Sequence, residues 1–211
     1  MTTPLGTPDL DLAFEADSAL PASLLKTAGP LADPLAGVEL WHELLSAWLA
    51  QLTAELPAPL QAASYSLGLA LVDDAEIADL NANWRHTPGP TDVLAFAAQE
   101  EAILEGTPPM PLPADLQEAE PLELGDIVIS LETAARQAPE HDHTLPQELL
   151  FLASHGLLHL LGWDHPDDPS LAAMLRRQEQ LLHSLKPLAT ATETSPTEPA
   201  PIRPGQLKER R

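Results

Sequence analysis

Apolar residues recur at every third or fourth position in two segments of the chain, which predicts two amphipathic helices. The first segment is GVELWHELLSAWLAQLTAEL at residues 37–56, where leucine and tryptophan form one continuous face. The second is SLAAMLRRQEQLLHSL at residues 170–185. A helix with one apolar face buries that face against another element. We therefore expect the first helix to cover a sheet and the second to close the domain.

Three shorter segments have the composition of β-strands. SYSLGLALV at 64–72 alternates apolar and small residues, while TDVLAF at 91–96 and GDIVIS at 125–130 are apolar runs bounded by proline or glycine. Helices are predicted beside them at 74–85, with an aspartate available as N-cap, and at 131–138. This mixture of strands and helices, without internal repeats, indicates one α+β or α/β domain.

Composition divides the chain into a central domain and two tails. Residues 1–37 are rich in proline, alanine and aspartate without a clear period, and residues 186–211 are rich in proline, threonine and glutamate. Both are typical of flexible tails, which leaves residues 38–185 as the domain. Within it, residues 97–124 hold five prolines, seven acids and no lysine or arginine, so we expect a solvated acidic insertion there.

The composition also limits the chemistry. The 211 residues are 44% hydrophobic, as in a globular protein, and include no cysteine, which excludes disulfides, thiolate metal sites and a cysteine nucleophile. Any metal must be bound by nitrogen and oxygen. The N-terminus does not resemble a signal or transit peptide, and no apolar run is long enough to span a bilayer. We expect a soluble cytoplasmic protein with no membrane partner.

The formal net charge of -22 argues against a broad nucleic-acid-binding surface, because phosphate binding normally uses clustered lysine and arginine. Between positions 38 and 185 the basic residues are Arg85, Arg136, Arg176 and Arg177. Any contact with RNA must therefore be local.

Three histidines lie at the end of a predicted buried helix. The helix begins at a possible capping box, Thr144 with Gln147, and its apolar run continues to Gly162. His155 and His159 are four residues apart, so their imidazoles project side by side. A turn at the glycine would bring His165 back to supply a third nitrogen. Three imidazoles leave a tetrahedral zinc with one open position for water, which is what a catalytic zinc needs.

The spacing of these histidines and of the glycine resembles the metzincin protease signature. That signature has a glutamate directly after its first histidine as the general base, whereas this chain has Gly156. Glycine cannot transfer a proton, so peptide hydrolysis by that mechanism is not expected.

With Gly156 included, HGLLHLLGWDH at 155–165 resembles the motif H-G-x-L-H-L-x-G-Y-D-H of the YbeY family of bacterial rRNA maturation factors, also described as metal-dependent endoribonucleases. LNANWRHTPGPTDVLAF at 80–96 is similar to the family's L-N-x-x-Y-R-x-x-x-x-P-T-D-V-L-S-F, and LGDIVIS at 124–130 follows. Trp163 replaces the usual tyrosine, and Ala95 and Ala97 stand where the family usually has serine and proline.

The resemblance covers roughly residues 40–185 and implies an α+β, zincin-like metallohydrolase domain with a small mixed sheet covered by helices. It implies one zinc ion per chain, bound by His155, His159 and His165. The implied activity is cleavage of single-stranded RNA in late ribosome maturation and quality control, including processing of the 16S rRNA 3′ end. The implied partners are the small ribosomal subunit and its proteins, and no DNA.

Two further residues are candidate catalytic groups. Arg85, in the second matching block, is the best cation for a phosphate because a guanidinium can bind two phosphate oxygens. Asp164, directly before the third histidine, can orient an imidazole or relay a proton, and solvent exposure without a role is nearly as plausible. His86, Asp92 and Asp126 are weaker candidates, and both aspartates can instead cap turns. Four histidines without a partner at metal spacing are interpreted as surface or packing residues: His42, His141, His143 and His183.

Two alternative functions stay open at this point. One is a ribosome assembly factor with a mainly structural zinc and no strong nuclease activity, which the scarcity of basic residues favours. The other is a metalloprotease, which the missing glutamate disfavours.

Overall fold

A mixed four-stranded sheet forms the centre of the fold in the computed structural model, which describes residues 8–99 and 120–184. The strand order is β1-β2-β4-β3, where β1 is Asp9–Ala16, β2 is Ser64–Val72, β3 is Val93–Ala97 and β4 is Leu122–Ser130. The first three strands in that order are parallel, and β3 pairs antiparallel with β4 at the edge. The three strands predicted from sequence are confirmed, and β1 was not predicted.

Six helices accompany the sheet in the described residues: α1 Ala22–Ala28, α2 Ala36–Leu52, α3 Asp74–Arg85, α4 Leu131–Gln137, α5 Leu145–Leu160 and α6 Asp168–Ser184. Each predicted helix is present, with ends that differ by a few residues. The α+β class and the small mixed sheet covered by helices are therefore confirmed. Within the described residues, no helix is both long enough and apolar enough to cross a bilayer.

The alternation of side chains along the strands gives the sheet two apolar faces. Leu69 and Ile127 belong to the main core, together with the buried sides of α2, α5 and α6. Val72 and Val128 point to the other face, where they pack with Ile77 of α3. Because successive strand residues alternate between faces, both sides of the sheet are partly covered by helices.

The core is completed by hydrogen bonds from buried tryptophans. Trp41 and Trp48 of α2 are fully buried, and the indole nitrogen of Trp41 donates to the carbonyl of Leu31 at 2.8 Å. The Trp48 indole donates to the carbonyl of Leu181 at 3.2 Å, which attaches α2 to α6. A buried indole needs such an acceptor, so these contacts fix how the helices pack.

The prediction of a flexible tail over residues 1–37 is wrong for the part that the structure describes. Residues 9–16 form β1, which pairs in parallel along the whole of β2. Leu10 is 5% exposed, and residues 22–28 form α1. The segment DLDLAFEA shows the polar and apolar alternation of a half-buried strand, but its aspartates and the neighbouring prolines resemble a tail. Its pairing partner lies more than 50 residues away in sequence, as the register Asp9 with Ser64 shows.

The boundaries of the predicted acidic insertion also change. Ala97 ends β3 and residues 122–124 begin β4, so both ends of the predicted 97–124 insertion belong to the sheet. Residues 100–119, and the predicted C-terminal tail at 186–211, lie outside the described residues.

One carboxylate joins three elements beside the carboxyl ends of β2 and β4. Asp74 at the start of α3 accepts hydrogen bonds from Ser130 at 2.6 Å, Thr133 at 2.7 Å and Arg136 at 2.7 Å. Burial alone would raise the pKa of Asp74, but these donors outweigh burial and hold the pKa below its usual value. The network therefore fixes α3 and α4 relative to the end of the sheet.

Candidate metal centre

Helix α5 places two histidines on one face near its C-terminal end. The helix begins with the predicted capping box, in which Thr144 and Gln147 bond reciprocally. His155 and His159 are one turn apart, and their Nε2 atoms are 3.1 Å apart. Both Nε2 atoms thus face the same point in space, an arrangement that suits a shared ion.

The chain reverses directly after this helix and brings in the third histidine. Gly162 has a positive φ of 83°, and its N–H donates to the carbonyl of His159 at 2.9 Å. This left-handed backbone conformation is low in energy for glycine and strained for residues with a Cβ. As a result, ring nitrogens of His155, His159 and His165 all lie within 4.8 Å of one another.

Two of the three histidines, His155 and His159, are held in their neutral forms. Burial, with contributions in the same direction from the neighbouring His159 and His165, lowers the pKa of His155 from 6.5 to about 4. Burial, followed by His165, also lowers the pKa of His159. A neutral imidazole has a free lone pair, which is the form that binds a metal ion. The donor set, its convergence and its charge state therefore fit a divalent metal.

The glycine that replaces the protease glutamate has a packing role. Gly156 of α5 lies against Ile127 of β4, and a Cβ at this position would be 2.8 Å from the isoleucine Cγ2. A side chain there would force the helix away from the sheet. The close approach of α5 to β4 thus excludes a carboxylate base at this position, as the sequence indicated.

Arg85 lies at the C-terminal end of α3 and reaches the edge strand. Its guanidinium donates to the carbonyl of Ala95 at 3.2 Å, and its positive charge is one of the causes that lower the pKa of His159. By contrast, Arg136 is paired with Asp74 and Arg177 with Glu55. Across residues 8–99 and 120–184, Arg85 makes no salt bridge, so its charge is available to a ligand.

The second predicted catalytic residue, Asp164, and the weaker candidate Asp92 occupy different positions. Asp164 is exposed, and its Oδ1 accepts a hydrogen bond from the backbone N–H of His165 at 2.8 Å. Asp92 accepts hydrogen bonds from Thr91 and from the N–H of Val93, as a turn-capping residue does. The pKa values of both histidines are lowered overall. The charge of Asp164 opposes part of this lowering at His159, and the charge of Asp92 opposes part of it at His155, so each aspartate lies near a histidine.

The other two candidates, Asp126 and His86, lie within β4 and at the C-terminal end of α3 respectively. Asp126 is part of β4, where it pairs with Phe96 and Gly68, so the interpretation of this residue as a turn cap is wrong. His86 is exposed and ends α3 in a left-handed conformation with φ 54°.

A groove of about 940 Å³ opens beside Arg85 on the sheet face that α3 partly covers. Trp84, whose side chain is 68% exposed, and Phe96 line it and contact each other edge to face at 6.0 Å between ring centroids. Glu15, Glu123 and Asp126 also line the groove. The groove is therefore lined by aromatic and acidic side chains, and Arg85 is the cationic residue among those that line it.

The sequence analysis missed a second cluster of ionisable residues. Glu148 of α5 is fully buried, and its carboxylate lies 2.9 Å from Nδ1 of His141 and 2.7 Å from Nδ1 of His143. One potential ligand atom from each of these three side chains lies close enough to the others for the group to hold a metal ion. Two imidazole N–H groups satisfy a buried carboxylate without an ion, which is sufficient to account for the cluster. The spacing of the histidines and the glutamate did not reveal it, because the histidines precede the helix.

The cluster is connected to the metal centre through one aromatic ring. Phe151 lies between the two groups, with its ring centroid 5.8 Å from that of His143 and 6.5 Å from that of His155. The rings of Phe151 and His155 are nearly parallel, at 8°. The cluster thus packs behind His155 rather than at the open side of the site.

The mixed sheet, its helices and the three converging imidazoles together define a metallohydrolase-like domain. A family model described as Endoribonuclease YbeY matches residues 37–186, and the chain belongs to this family. The family predicted from the three sequence blocks is thus confirmed.

Relatives in bacteria match most of the chain. A protein of Synechococcus sp. (strain RCC307) called Endoribonuclease YbeY is 60% identical over 179 residues, covering 85% of this chain and 95% of that protein. Its counterpart in Synechococcus sp. (strain CC9605) is 49% identical over 180 residues, covering 82% and 98%. The solution structure of TM1509 from Thermotoga maritima is similar with a TM-score of 0.46 and 20% identity, covering 89% of this chain and 99% of that one.

Proposed function

We propose that this protein is a metal-dependent endoribonuclease that cleaves single-stranded RNA during ribosome maturation, including processing of the 16S rRNA 3′ end. The observation that carries the proposal is the convergence of three imidazoles within 4.8 Å, in a chain of the YbeY endoribonuclease family. Arg85, a cation without a carboxylate partner among the described residues, extends the site toward a phosphate.

The proposed metal is zinc, one ion per chain, with His155, His159 and His165 as ligands. Three imidazoles without cysteine are a donor set that zinc accepts. When bound, such an ion supplies Lewis acidity toward a phosphate and lowers the pKa of water.

The protein's own residues supply phosphate binding and orientation. The Arg85 guanidinium has donors beyond the one used by Ala95, and these can bind the non-bridging oxygens of the scissile phosphate. Asp164 holds the backbone at His165 through its hydrogen bond, and its charge acts on His159. We assign it the orientation of the third ligand, with proton relay as a second role.

The acidic surroundings of the site determine the kind of substrate it accepts. A net charge of -22 repels a long duplex, whereas a short unpaired segment brings few phosphates near the protein. The exposed Trp84 ring beside Arg85 offers a stacking surface for an unpaired base. We place this activity on rRNA at the small ribosomal subunit, hence in the cytoplasm.

The test combines metal content with cleavage. Metal is measured by mass spectrometry on untagged protein, and cleavage of a labelled single-stranded RNA is followed for the wild type, His159→Ala and His183→Ala. His183 is the matched control because it is exposed and its Nδ1 contacts only its own helix among the described residues. We expect about one zinc per wild-type chain, and loss of both zinc and cleavage in His159→Ala alone.

A second candidate function is a ribosome assembly factor with a structural metal. The net charge of -22 favours it, because such a protein would use the ribosome to hold the RNA. Wild-type protein that contains zinc but cleaves no faster than a chelated control would support this function over the nuclease. His159→Ala would then mainly lower the free energy of unfolding.

A further inference from the structure

Two buried polar atoms beside the metal centre have no hydrogen-bond partner by strict geometry within the described residues. They are Nδ1 of His155 on α5 and Oε1 of Gln178 on α6. One of these atoms can donate a proton and the other can only accept one. A buried polar atom without a partner is destabilising, which favours a hydrogen bond between these two atoms.

The orientation of the Gln178 amide is fixed by its nitrogen. Gln178 is 1% exposed, and its Nε2 donates to the carbonyl of Phe151 at 2.7 Å and to the hydroxyl of Ser154 at 3.1 Å. Both amide hydrogens are thus used on the backbone and side chain of α5. The amide oxygen is therefore left free to accept from a donor, and the His155 side chain is near enough for the two groups to interact.

The orientation of the His155 ring is fixed as well. Its Nε2 faces the Nε2 of His159 at 3.1 Å, and the Phe151 ring stacks on the imidazole. Nδ1 is therefore directed away from the other histidines. The side chain of Gln178 is close enough to Nδ1 to counteract part of the lowering of the His155 pKa.

A neutral imidazole has one proton, which can sit on either nitrogen. An acceptor at Nδ1 places the proton there and leaves the lone pair on Nε2, the atom that faces the other histidines. Without that acceptor, the two tautomers become closer in energy, and the metal must compete with a proton on Nε2.

We propose that Gln178 is a positioning residue of the metal centre: its Oε1 accepts a hydrogen bond from Nδ1–H of His155 and fixes the tautomer that offers Nε2 to the metal. The inference rests on the metal-binding part of the proposed function. Gln178 itself is not part of the sequence motif, since it lies on another helix, 23 residues after His155.

The first experiment is zinc affinity, measured by competition with a chelator for the wild type, Gln178→Met, Gln178→Glu and Gln180→Met. Methionine keeps the volume but removes the acceptor, and glutamate restores an acceptor. Gln180 is the matched control on the exposed side of the same helix. We expect Gln178→Met to raise the zinc Kd roughly 10–100-fold. Gln178→Glu keeps an acceptor but loses the donors to Phe151 and Ser154, so it should raise the Kd less, while Gln180→Met stays close to the wild type.

A merely structural role gives a different result. In that case Gln178→Met lowers the free energy of unfolding of the metal-free protein but leaves the zinc Kd of the folded protein unchanged. That outcome would overturn the proposal.

A second measurement needs no variant and no metal. Nitrogen-15 NMR of histidine-labelled, metal-free wild-type protein reports which ring nitrogen of His155 is protonated. The proposal requires Nδ1–H, and a proton on Nε2 with a bare Nδ1 would refute it. If the wild type binds no zinc at all, the proposed function fails, while the tautomer still decides whether Gln178 positions His155.

Discussion

Arg85 lies near the three histidines and has no carboxylate partner among the described residues, and the other arginines between residues 38 and 185 do not combine these two features. Its guanidinium spans from the end of α3 to the edge of β3 and acts electrostatically on His159. Arg136 and Arg177 are instead held by carboxylates. This difference supports the proposed role of Arg85 in binding phosphate.

Replacing Arg85 therefore tests the phosphate-binding role. We expect Arg85→Ala to lower kcat/KM for a single-stranded RNA by roughly 10²–10³-fold, because a donor to developing negative charge is lost. Arg85→Lys keeps the charge but not the two-point contact and should be intermediate. Cleavage kinetics are measured together with zinc content, which should not change. Arg176→Ala, an exposed arginine on α6, is the control, and equal activities of Arg85→Ala and the wild type would contradict the role.

Burial of His155 predicts how the stability of the metal-free protein depends on pH. The folded-state pKa is about 4, against 6.5 for an exposed histidine, so the unfolded chain takes up this proton first. The contribution of His155 is fully present above pH 6.5 and is lost as the pH falls toward about 4. The loss approaches roughly 3 kcal/mol in the free energy of unfolding.

Urea unfolding with a chelator present measures this loss across the same pH range. His155→Gln, which cannot titrate, should lose less stability on acidification than the wild type, whereas His183→Ala should behave like the wild type. Parallel curves for His155→Gln and the wild type would show that another group is responsible.

At the scale of secondary structure, local capping residues determine where the helices that carry the site begin and end. Asp73 accepts a hydrogen bond from the N–H of Glu76 at the start of α3, and Thr144 with Gln147 caps α5. The end of α5 is set by Gly162. Since these contacts are local, the helices that carry Arg85 and the histidines start and stop where the sequence indicates.

Strand β1 is the element whose existence most needs a test. Leu10 is 5% exposed in the core, so Leu10→Ala should lower the free energy of unfolding by about 2–3 kcal/mol. Asp11→Ala, on the exposed side of the same strand, is the matched control and should change it little. Both values come from denaturant unfolding of the full chain. A negligible effect of Leu10→Ala would mean that this segment is not attached to the sheet.

For the whole molecule, the dominant property is its negative charge. The formal net charge is -22, and the groove beside Arg85 is lined by Glu15, Glu123 and Asp126. Affinity for RNA cannot come from many phosphate contacts under these conditions. It must come from one arginine, the metal centre and neutral stacking, or from a ribosomal partner that supplies cations.

This charge predicts a weak dependence of RNA binding on salt. Each phosphate neutralised on a single strand contributes a slope of about −0.7 to log K against log salt concentration, so the isolated protein should show a slope of about −0.7 to −1.5. Fluorescence anisotropy with a labelled single-stranded RNA, from about 50 to about 200 mM salt, measures it. A slope steeper than about −3 would mean that several more cations bind the backbone.

Much of the site could be predicted from the sequence because its main parts are local. His155 and His159 are separated by one helical turn, and Gly162 provides the reversal that returns His165. Five of the six described helices and three of the four described strands were evident from periodicity and from turn residues for the same reason, whereas α1 lies in the segment interpreted as a tail. Arg85 was identified by its block of sequence, and its position beside the histidines came from the packing of α3 against the sheet.

What only the tertiary structure decided involves partners that are distant in sequence. Strand β1 resembles a polar tail until it pairs with β2, and Gly156 has a role only because β4 lies against it. Gln178 faces His155 only because α6 packs on α5, and the hydrogen bonds of its amide fix that direction. The sequence by itself thus identified the three histidines as candidate metal ligands and predicted the elements that carry them. Long-range packing decides which groups surround and orient those residues. Such contacts cannot be predicted from the local spacing of residues in the sequence.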